Sequence, residues 1–520
     1  MKRNRFKLTS LIAASALLTF SCSDLEIEDS DSIIDESTSE GGTFNGVANV
    51  EESLNNVYNQ FNGIGDQTNF YALQEVSGDY ELVPTRGTDW GDNGIWRTLH
   101  SHSWTADHDY VLNVWNNWNQ RIFLTSEIID SRSSPTAQQA AEASFLRAFA
   151  TWVIVDMFGQ VPVRAVDSGP DELPTVQTRT EGLANILADL DVAIAGLSDV
   201  AAGDVDNQSR ASRQAAQFMK ARVLLNAHIY DGSGTPDNAN LQEVVNLIDA
   251  IAAQGYALED DYFGIFTEDA DNETIWWIPA GVGNRIWNGM HYNIVAPDNG
   301  GGGWNGFAVL SEFYDSFEGD PNNNRIGNGQ EERRGFVPHP DDNNIDGTLG
   351  IGYGMLIGQQ YGADGQELKT RPGGPLSFTK DLPGLAGNTE ETGIRTIKYH
   401  PVNGSFTNHE IMFRYADAHL MKAEAMLLMG GDATAMVNQL RALREATPLG
   451  AVSLDDLLAE RGRELYKEAI RRTDLIRFGQ YTRDWQFKNA SSVGDANRNL
   501  FPIPRRALLG NPNLVQNPGY

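Results

Sequence analysis

The chain has 520 residues, a formal net charge of -31, 41% hydrophobic residues and one cysteine. That length accommodates one large domain or two to three average ones. The charge argues against nucleic acid or an anionic membrane face as a general partner, and a lone cysteine excludes a disulfide framework and a cysteine-based metal site.

The chain opens with Lys2, Arg3, Arg5 and Lys7, then an apolar run from Leu8 to Phe20 that is too short to span a bilayer, then Ser21. This is the pattern of an export signal over residues 1–21. Thr19-Phe20-Ser21-Cys22 is a loose lipobox, so Cys22 is expected to be lipidated and to become the new N-terminus; the alternative is an ordinary secretory signal with an incidental cysteine. Residues 22–45 are acidic and Ser-rich, the composition of a flexible tether. No later stretch is long and apolar enough for a transmembrane helix, so the lipid is the expected anchor.

Val50, Leu54, Val57, Tyr58 and Phe61 predict an amphipathic helix over 47–61. A loop-rich window, 77–105, then sets Trp90, Trp96 and Trp104 among Gly87, Gly91 and Gly94. Helical period returns over 110–129 through Val114, Trp115, Trp118 and Ile122, and again after Ser134-Pro135 in "AQQAAEASFLRAFATWVIVDMFG", which stops at Gly159. Glu142 and Arg147 in that run are expected to end in ion pairs. Further helices are predicted over 179–197, 213–230 and 241–253. From Glu259 to Pro401 the composition turns to Gly, Asn, Asp and Pro, and period is lost apart from a short helix near 307–317. Long structured loops on a rigid scaffold are where binding usually resides. The helix pairs suggest a tetratricopeptide-like array, although that repeat's consensus is missing.

Met412, Tyr415, Ala416, Leu420, Ala423 and Leu427 predict a helix over 412–428. Arg414, Asp417 and Glu424 share a side of it with Met421, so charges sit within a mostly apolar surface. Arg441, Arg444, Arg461, Arg463, Arg471, Arg472 and Arg477, with Glu460, Glu464 and Glu468, follow in the next helices. Either these are carboxylates tuned for acid/base work or they are ion pairs that fix helix packing. Arginine does not titrate and mixed charges on helices usually pair, which favours the second.

The same block contains "FRYADAHLMKAEAML", "VNQLRALRE", "LLAERGRELYKEAIRRTDLIRFGQY" and "LFPIPRRALLGNPNLVQNPGY". These four ordered motifs, with the earlier "EASFLRA … FGQVP", resemble the SusD/RagB family, surface lipoproteins of Bacteroidetes that capture glycans for a TonB-dependent transporter. The acidic tether is similar to the segment that directs family members to the cell surface. The resemblance implies a mainly α, SusD-like fold: a tetratricopeptide-like helix-turn-helix scaffold with a loop-rich ligand-binding subdomain. The expected organisation is a signal at 1–21, a tether at 22–45, an N-terminal helical scaffold at 46–258 carrying the binding loop 77–105, a loop-rich ligand-binding region at 259–401 and a C-terminal helical scaffold at 402–520.

Several catalytic signatures are missing: there is no G-x-S-x-G, P-loop or C-x-x-C. His409-Glu410 begins like a zinc-protease helix, but Phe413 stands where the second histidine is required. His100, His102 and His108 lie near Asp107 and Asp109, and are expected to be solvated loop histidines rather than ligands. Asp342-Asn343-Asn344-Ile345-Asp346-Gly347 fits the first half of a calcium loop, yet Tyr353 replaces the closing glutamate, so an Asx-rich turn is expected and no metal or other cofactor is assigned.

The aromatics carry more information. Trp90, Trp96 and Trp104 fall in one loop-rich window, and Trp276, Trp277, Trp287 and Trp304 in another. A ring on a turn can offer its flat face to the apolar C–H face of a pyranose while nearby polar side chains bond the hydroxyls. Trp104 is expected to be core, and Trp276-Trp277 a short strand with one ring in and one out. Trp90, Trp96, Trp287 and Trp304, with Asp89, Asp92, Asn93 and Arg86, are the expected glycan platform. The implied function is a non-catalytic, lipid-anchored outer-membrane protein at the cell surface that passes a glycan, a neutral glucan of β or α linkage, to a SusC-like TonB-dependent transporter. The competing readings are a secreted glycoside hydrolase and a structural or peptide-binding helical-repeat adaptor.

Overall fold

The computed structural model describes residues 44–61, 64–169, 171–279, 282–295, 302–342, 349–401 and 409–520. The signal, Cys22, all but the end of the tether and residues 343–347 of the Asx-rich turn lie outside the described residues.

Side-chain caps set the starts of five of the helices. Thr136 and Gln139 form a reciprocal capping box at the Ala137–Met157 helix, and Thr178 with Glu181 and Ser453 with Asp456 do the same for Arg179–Gly196 and Leu454–Leu465. The side chains of Ser212 and Asp237 cap Arg213–Tyr230 and Asn238–Ala252. Consecutive helices pack as neighbours from Asp109–Ile129 through Asn238–Ala252, and Tyr415–Leu428 closes against the last of these. Ala137–Met157 is apolar on nearly every side because it runs through the middle of this stack, with Phe145, Phe149 and Trp152 fully covered.

Residues 259–401 contain more regular structure than their composition suggests. They have their own core, built on Tyr262, Phe266, Phe313, Met355, Ile397 and Tyr399, and a three-stranded antiparallel sheet in which Tyr353–Leu356 lies between Gly335–Phe336 and Arg395–Ile397. The expected helix near 307–317 is shorter, Ser311–Tyr314, and follows a strand, Ala308–Val309. Trp276 and Trp277 do share a strand, Thr274–Ile278, with the first ring buried and the second half-buried.

That strand corrects the expectation for Met412–Arg414. Glu410–Arg414 is not helical but pairs antiparallel with Thr274–Ile278, and the helix begins at Tyr415. Ile411 and Phe413 are drawn into the extended form by partners far away in sequence, an override that local period cannot register.

The charges of the C-terminal block are structural. Glu464 accepts from Arg414 at 2.8 Å, Arg444 at 3.1 Å and Arg333 at 3.1 Å, all fully buried. Arg414 also pairs with Glu273 at 2.9 Å and Glu468 at 2.7 Å, while Arg333 and Arg441 each reach Glu460 at 2.7 Å. Beside this network Asp417 joins Arg222 and Arg461 at 2.7 and 2.9 Å. Glu142 and Arg147 end in ion pairs as expected, with Arg210 at 2.7 Å and Asp189 at 2.6 Å.

Removing one member of a buried network strands the others' charges, which costs about 3–5 kcal/mol. Glu464→Ala is therefore expected to lower unfolding stability by about that much in denaturant titration, whereas Asp130→Ala, which removes a surface pair with Arg132 at 2.7 Å, should cost under ~1 kcal/mol. Burial pushes the Glu460 and Asp417 carboxyls up, but their arginines outweigh it and bring each down to about 2. A carboxyl depressed in the folded state stabilises above its unfolded pKa, and that contribution is lost as pH falls through the folded one. Stability should thus drop between the ordinary carboxylate values of 4.5 and 3.8 and about 2, measured as the denaturant midpoint against pH.

Candidate functional site: an aromatic platform

A two-residue strand pairing organises the site. Glu81–Leu82 lies antiparallel to Ala308–Val309, which sets the loop after the first strand beside the loop before the second. A third loop joins them through Thr85 N–H to Leu385 O at 2.9 Å and Gly87 N–H to Asn388 O at 3.1 Å.

Trp90 sits where the loops meet. Its indole N–H donates to Trp304 O at 2.7 Å, and its ring lies against Gly306, where a Cβ would stand 2.5 Å from the indole. Only glycine leaves room for that approach. Trp90, Asp92, Asn93 and Asn305 all have left-handed backbones, with φ of 58°, 36°, 52° and 55°. Such conformations cost free energy in non-glycine residues and gather at binding sites that over-determine them. Trp304 projects outward with 64% of its surface exposed.

Tyr292 and Arg371 complete the surface. The Tyr292 hydroxyl donates to Asp89 at 2.6 Å, Arg371 Nη2 donates to the same carboxylate at 2.8 Å, and the guanidinium lies 3.8 Å from the Tyr292 ring centroid. Arg371 Nε donates to Glu390 at 2.5 Å. His291 lies behind Glu390, 3.1 Å from its carboxylate, and its Nδ1 accepts the Asn293 N–H at 3.0 Å, which makes Nε2 the donor to Glu390. Burial outweighs the Glu390 bond and brings the imidazole down to about 4, so it is neutral at pH 7. Bonds from Tyr292 and then Arg371 hold the Asp89 carboxyl below its usual range. Burial raises Glu390, yet its bonds with Arg371 and His291 bring it below its usual range as well.

The eight residues expected on the platform divide into groups. Trp90, Trp304 and Asp89 come together at its centre, with Asp92 and Asn93 exposed on the adjoining turn. Trp96 does not offer a face: it is 2% exposed, donates to Asp92 at 3.1 Å and packs edge-on to Tyr110 and Phe307 as the floor under Trp90. Arg86 is 3% exposed, and its Nη1 donates to Thr389 O at 2.9 Å and to the Thr392 carbonyl and hydroxyl, which braces the third loop. Trp287 is half-buried against the second core, and its carbonyl receives the Trp304 N–H at 2.5 Å. Trp104 is core, as expected.

Sequence reasoning missed Tyr292, Arg371, Glu390 and His291. Tyr292 and His291 carried a positional signal, since both fall between Trp287 and Trp304. His100, His102 and His108 are buried and not solvated: their ring nitrogens face the carbonyls of Glu81 and Gln486, of Ser77 and of Ile95, and burial lowers all three pKa values. Among the described residues no group of three or more His, Cys, Asp or Glu is placed to hold a metal.

Two family models match the chain. One, described as the SusD family, covers residues 272–520, and the other, described as starch-binding and associating with the outer membrane, covers 28–225. The starch-binding protein SusD of Bacteroides thetaiotaomicron is 26% identical over 467 residues, spanning 83% of this chain and 82% of that protein. Surface glycan-binding protein A from Bacteroides fluxus has a similar structure, with a TM-score of 0.66 and 21% identity over 91% of this chain and 99% of that one. A laminarin-binding SusD-like protein gives a TM-score of 0.64 at 21% identity, covering 91% and 99%. At such identity the structural likeness speaks to fold, and it supports the mainly α, SusD-like class.

Gly306→Ala should drive its methyl into the Trp90 ring and cost about 1–3 kcal/mol, the range for overpacking. Near-UV circular dichroism is expected to change in this variant while the far-UV spectrum stays as it was. Introducing Trp90→Ala into both backgrounds should abolish the near-UV difference.

Proposed function

The chain belongs to the SusD family, and on that premise we propose that it is a non-catalytic surface glycan-binding protein whose ligand lies on the platform of Trp90, Trp304, Tyr292 and Arg371. The observation that carries this is the exposed Trp304 ring where the loops that brace Trp90 and carry Tyr292 meet, since apolar surface gathered within a polar rim marks a ligand-binding site. A pyranose stacked there would find Asp89, Asp92, Asn93 and Arg371 within the same surface to bond its hydroxyls.

The charge around the rings supports an uncharged glycan. Asp89, Asp92 and Glu390 outnumber Arg371, and Asp89 and Glu390 already engage its guanidinium, so a uronate or sulfate meets net repulsion. Starch and laminarin, named for two of the relatives, are both uncharged glucans, one α-linked and one β-linked. A neutral glucan of either linkage is thus the ligand class. The same reading includes lipidation at Cys22, attachment to the outer membrane and delivery of the glycan to a SusC-like TonB-dependent transporter.

A glycoside hydrolase requires one carboxyl kept protonated as general acid. Asp89 and Glu390 are both shifted the other way, into the ionised form, which suits acceptance of hydroxyl hydrogens instead. A purely structural adaptor gives Trp304 no role.

Affinity electrophoresis in gels containing laminarin or starch tests the proposal. The protein is expected to be retarded by at least one of them without releasing reducing ends. Trp90→Ala with Trp304→Ala should weaken binding by about tenfold per ring, from the aromatic contact energy lost. Full retardation of that double variant would overturn the assignment, and reducing-end release would return the hydrolase.

A further inference from the structure

A second cavity lies between the loop-rich region and the C-terminal helices and shares no residue with the platform. It is a cleft of about 680 Å³ whose walls include Phe263, Phe336, Tyr353, Asp261, Glu332 and Glu445. The three rings are half-buried and form one continuous group: Phe263 and Tyr353 centroids lie 5.2 Å apart, Phe336 and Tyr353 6.0 Å. Tyr353 is fixed from behind by stacking on His400 at 4.2 Å.

Among the described residues that line the cleft, the charged ones are all acids. Glu332 accepts the Tyr262 N–H through Oε1 at 2.8 Å, while its buried Oε2 has no hydrogen-bond partner. Glu331, 1% exposed, gives one oxygen to Arg333 at 2.5 Å and leaves the other without a hydrogen bond, Arg463 Nε standing off at 3.9 Å. Buried carboxylate oxygens left unbonded carry a desolvation cost that a donor entering the cleft would relieve. Burial, foremost, pushes Glu332 up to about 7, outweighing the Tyr262 N–H and the charge of Arg444, while Asp261 and Glu464 add to the rise.

Aromatic faces and carboxylates attract the same kind of ligand. The π-face of Phe or Tyr is the negative part of its quadrupole and favours a cation, as do the acids opposite. An anion would be repelled by both, and a neutral molecule would leave the acidic wall uncompensated. We propose that this cleft binds a small organic cation, a protonated amine on an apolar body, with the rings covering the body and Glu332 Oε2 accepting from the ammonium. The site is independent of the glycan platform.

Phenethylamine, protonated at neutral pH, and phenethyl alcohol, its neutral counterpart, are the probes. Calorimetry on the full chain is expected to show saturable amine binding, about tenfold tighter than binding of the alcohol. Glu332→Gln should remove most of that preference, and Tyr353→Leu should weaken both ligands, with far-UV circular dichroism confirming that each variant is folded. Trp304→Ala should leave amine binding as it was. The proposal is overturned by the absence of saturable amine binding, by equal affinity for the alcohol, by a Glu332→Gln variant with unchanged preference, or by loss of amine binding in Trp304→Ala, which would place the amine on the platform. Because the probes carry no sugar, failure here leaves the glycan assignment standing, and the reverse also holds.

Discussion

Glu464 accepts three buried guanidinium groups, and the rest of the molecule is arranged around that fact. Taking charges out of water is expensive, and mutual attraction offsets the cost only where geometry is good and each group is bonded. The four segments that supply the ions are far apart in sequence: Glu273 precedes the loop-rich region's first strand, Arg333 lies in its middle, Arg414 ends the returning strand and Arg444 ends a C-terminal helix. Each must be in place for the others to be neutralised. Burial raises Glu464, yet Arg444, Arg414 and Arg333 hold its pKa well below the ordinary value, so the centre is ionised at neutral pH. Such a network contributes specificity of arrangement more than raw stability, because only one docking of loops on helices leaves no charge stranded.

The platform inherits that rigidity through a different device. Arg86 and Arg395 are buried without a carboxylate partner and spend their donors on carbonyls: Arg86 on Thr389 and Thr392, Arg395 on Glu390, Thr392 and Gly393. Arg395 also donates twice to Asn305, at 3.0 and 2.7 Å. Two guanidinium groups thus fix the loop that presents Glu390 and the left-handed residue beside Trp304. Burial, foremost, lowers Arg86 to about 9 against the opposing charge of Glu391, and burial with the neighbouring charge of Arg86 lowers Arg395 as well. The platform is stiff before any ligand arrives, and a preformed site loses less ordering entropy on binding.

What could be read from the sequence follows from how local each signal was. The long helices were legible because their period and caps lie within a turn of each other, as in Thr136 with Gln139. The C-terminal charges were legible as ion pairs from residue chemistry alone, although their partners Glu273 and Arg333 were not. Met412–Arg414 was misread because a strand far upstream, at Thr274–Ile278, decides its conformation. Trp96 and Trp304 occupy similar glycine-rich stretches, yet one is floor and the other surface. Tyr110 and Phe307, remote from Trp96 in sequence, make that difference. Arg371 and Glu390 had no local mark at all, since their role arises only when three loops meet.

The same physics explains why Trp90 and Trp304 differ in exposure while sharing a hydrogen bond. Trp90 satisfies its indole N–H on a carbonyl and lays its ring on Gly306, so it behaves as part of the wall. That bond in turn pins the Trp304 backbone and leaves the Trp304 ring to solvent. Exposure of Trp304 is therefore a product of internal packing, since Asn305 and Gly306 on its C-terminal side are buried and held by Arg395 and the Asn288 carbonyl. An apolar ring fixed in water by polar bonds gains free energy when another apolar face removes that water. The carboxylates set around it, ionised and already directed by Arg371 and Tyr292, favour a face edged with hydroxyl donors over one edged with negative charge.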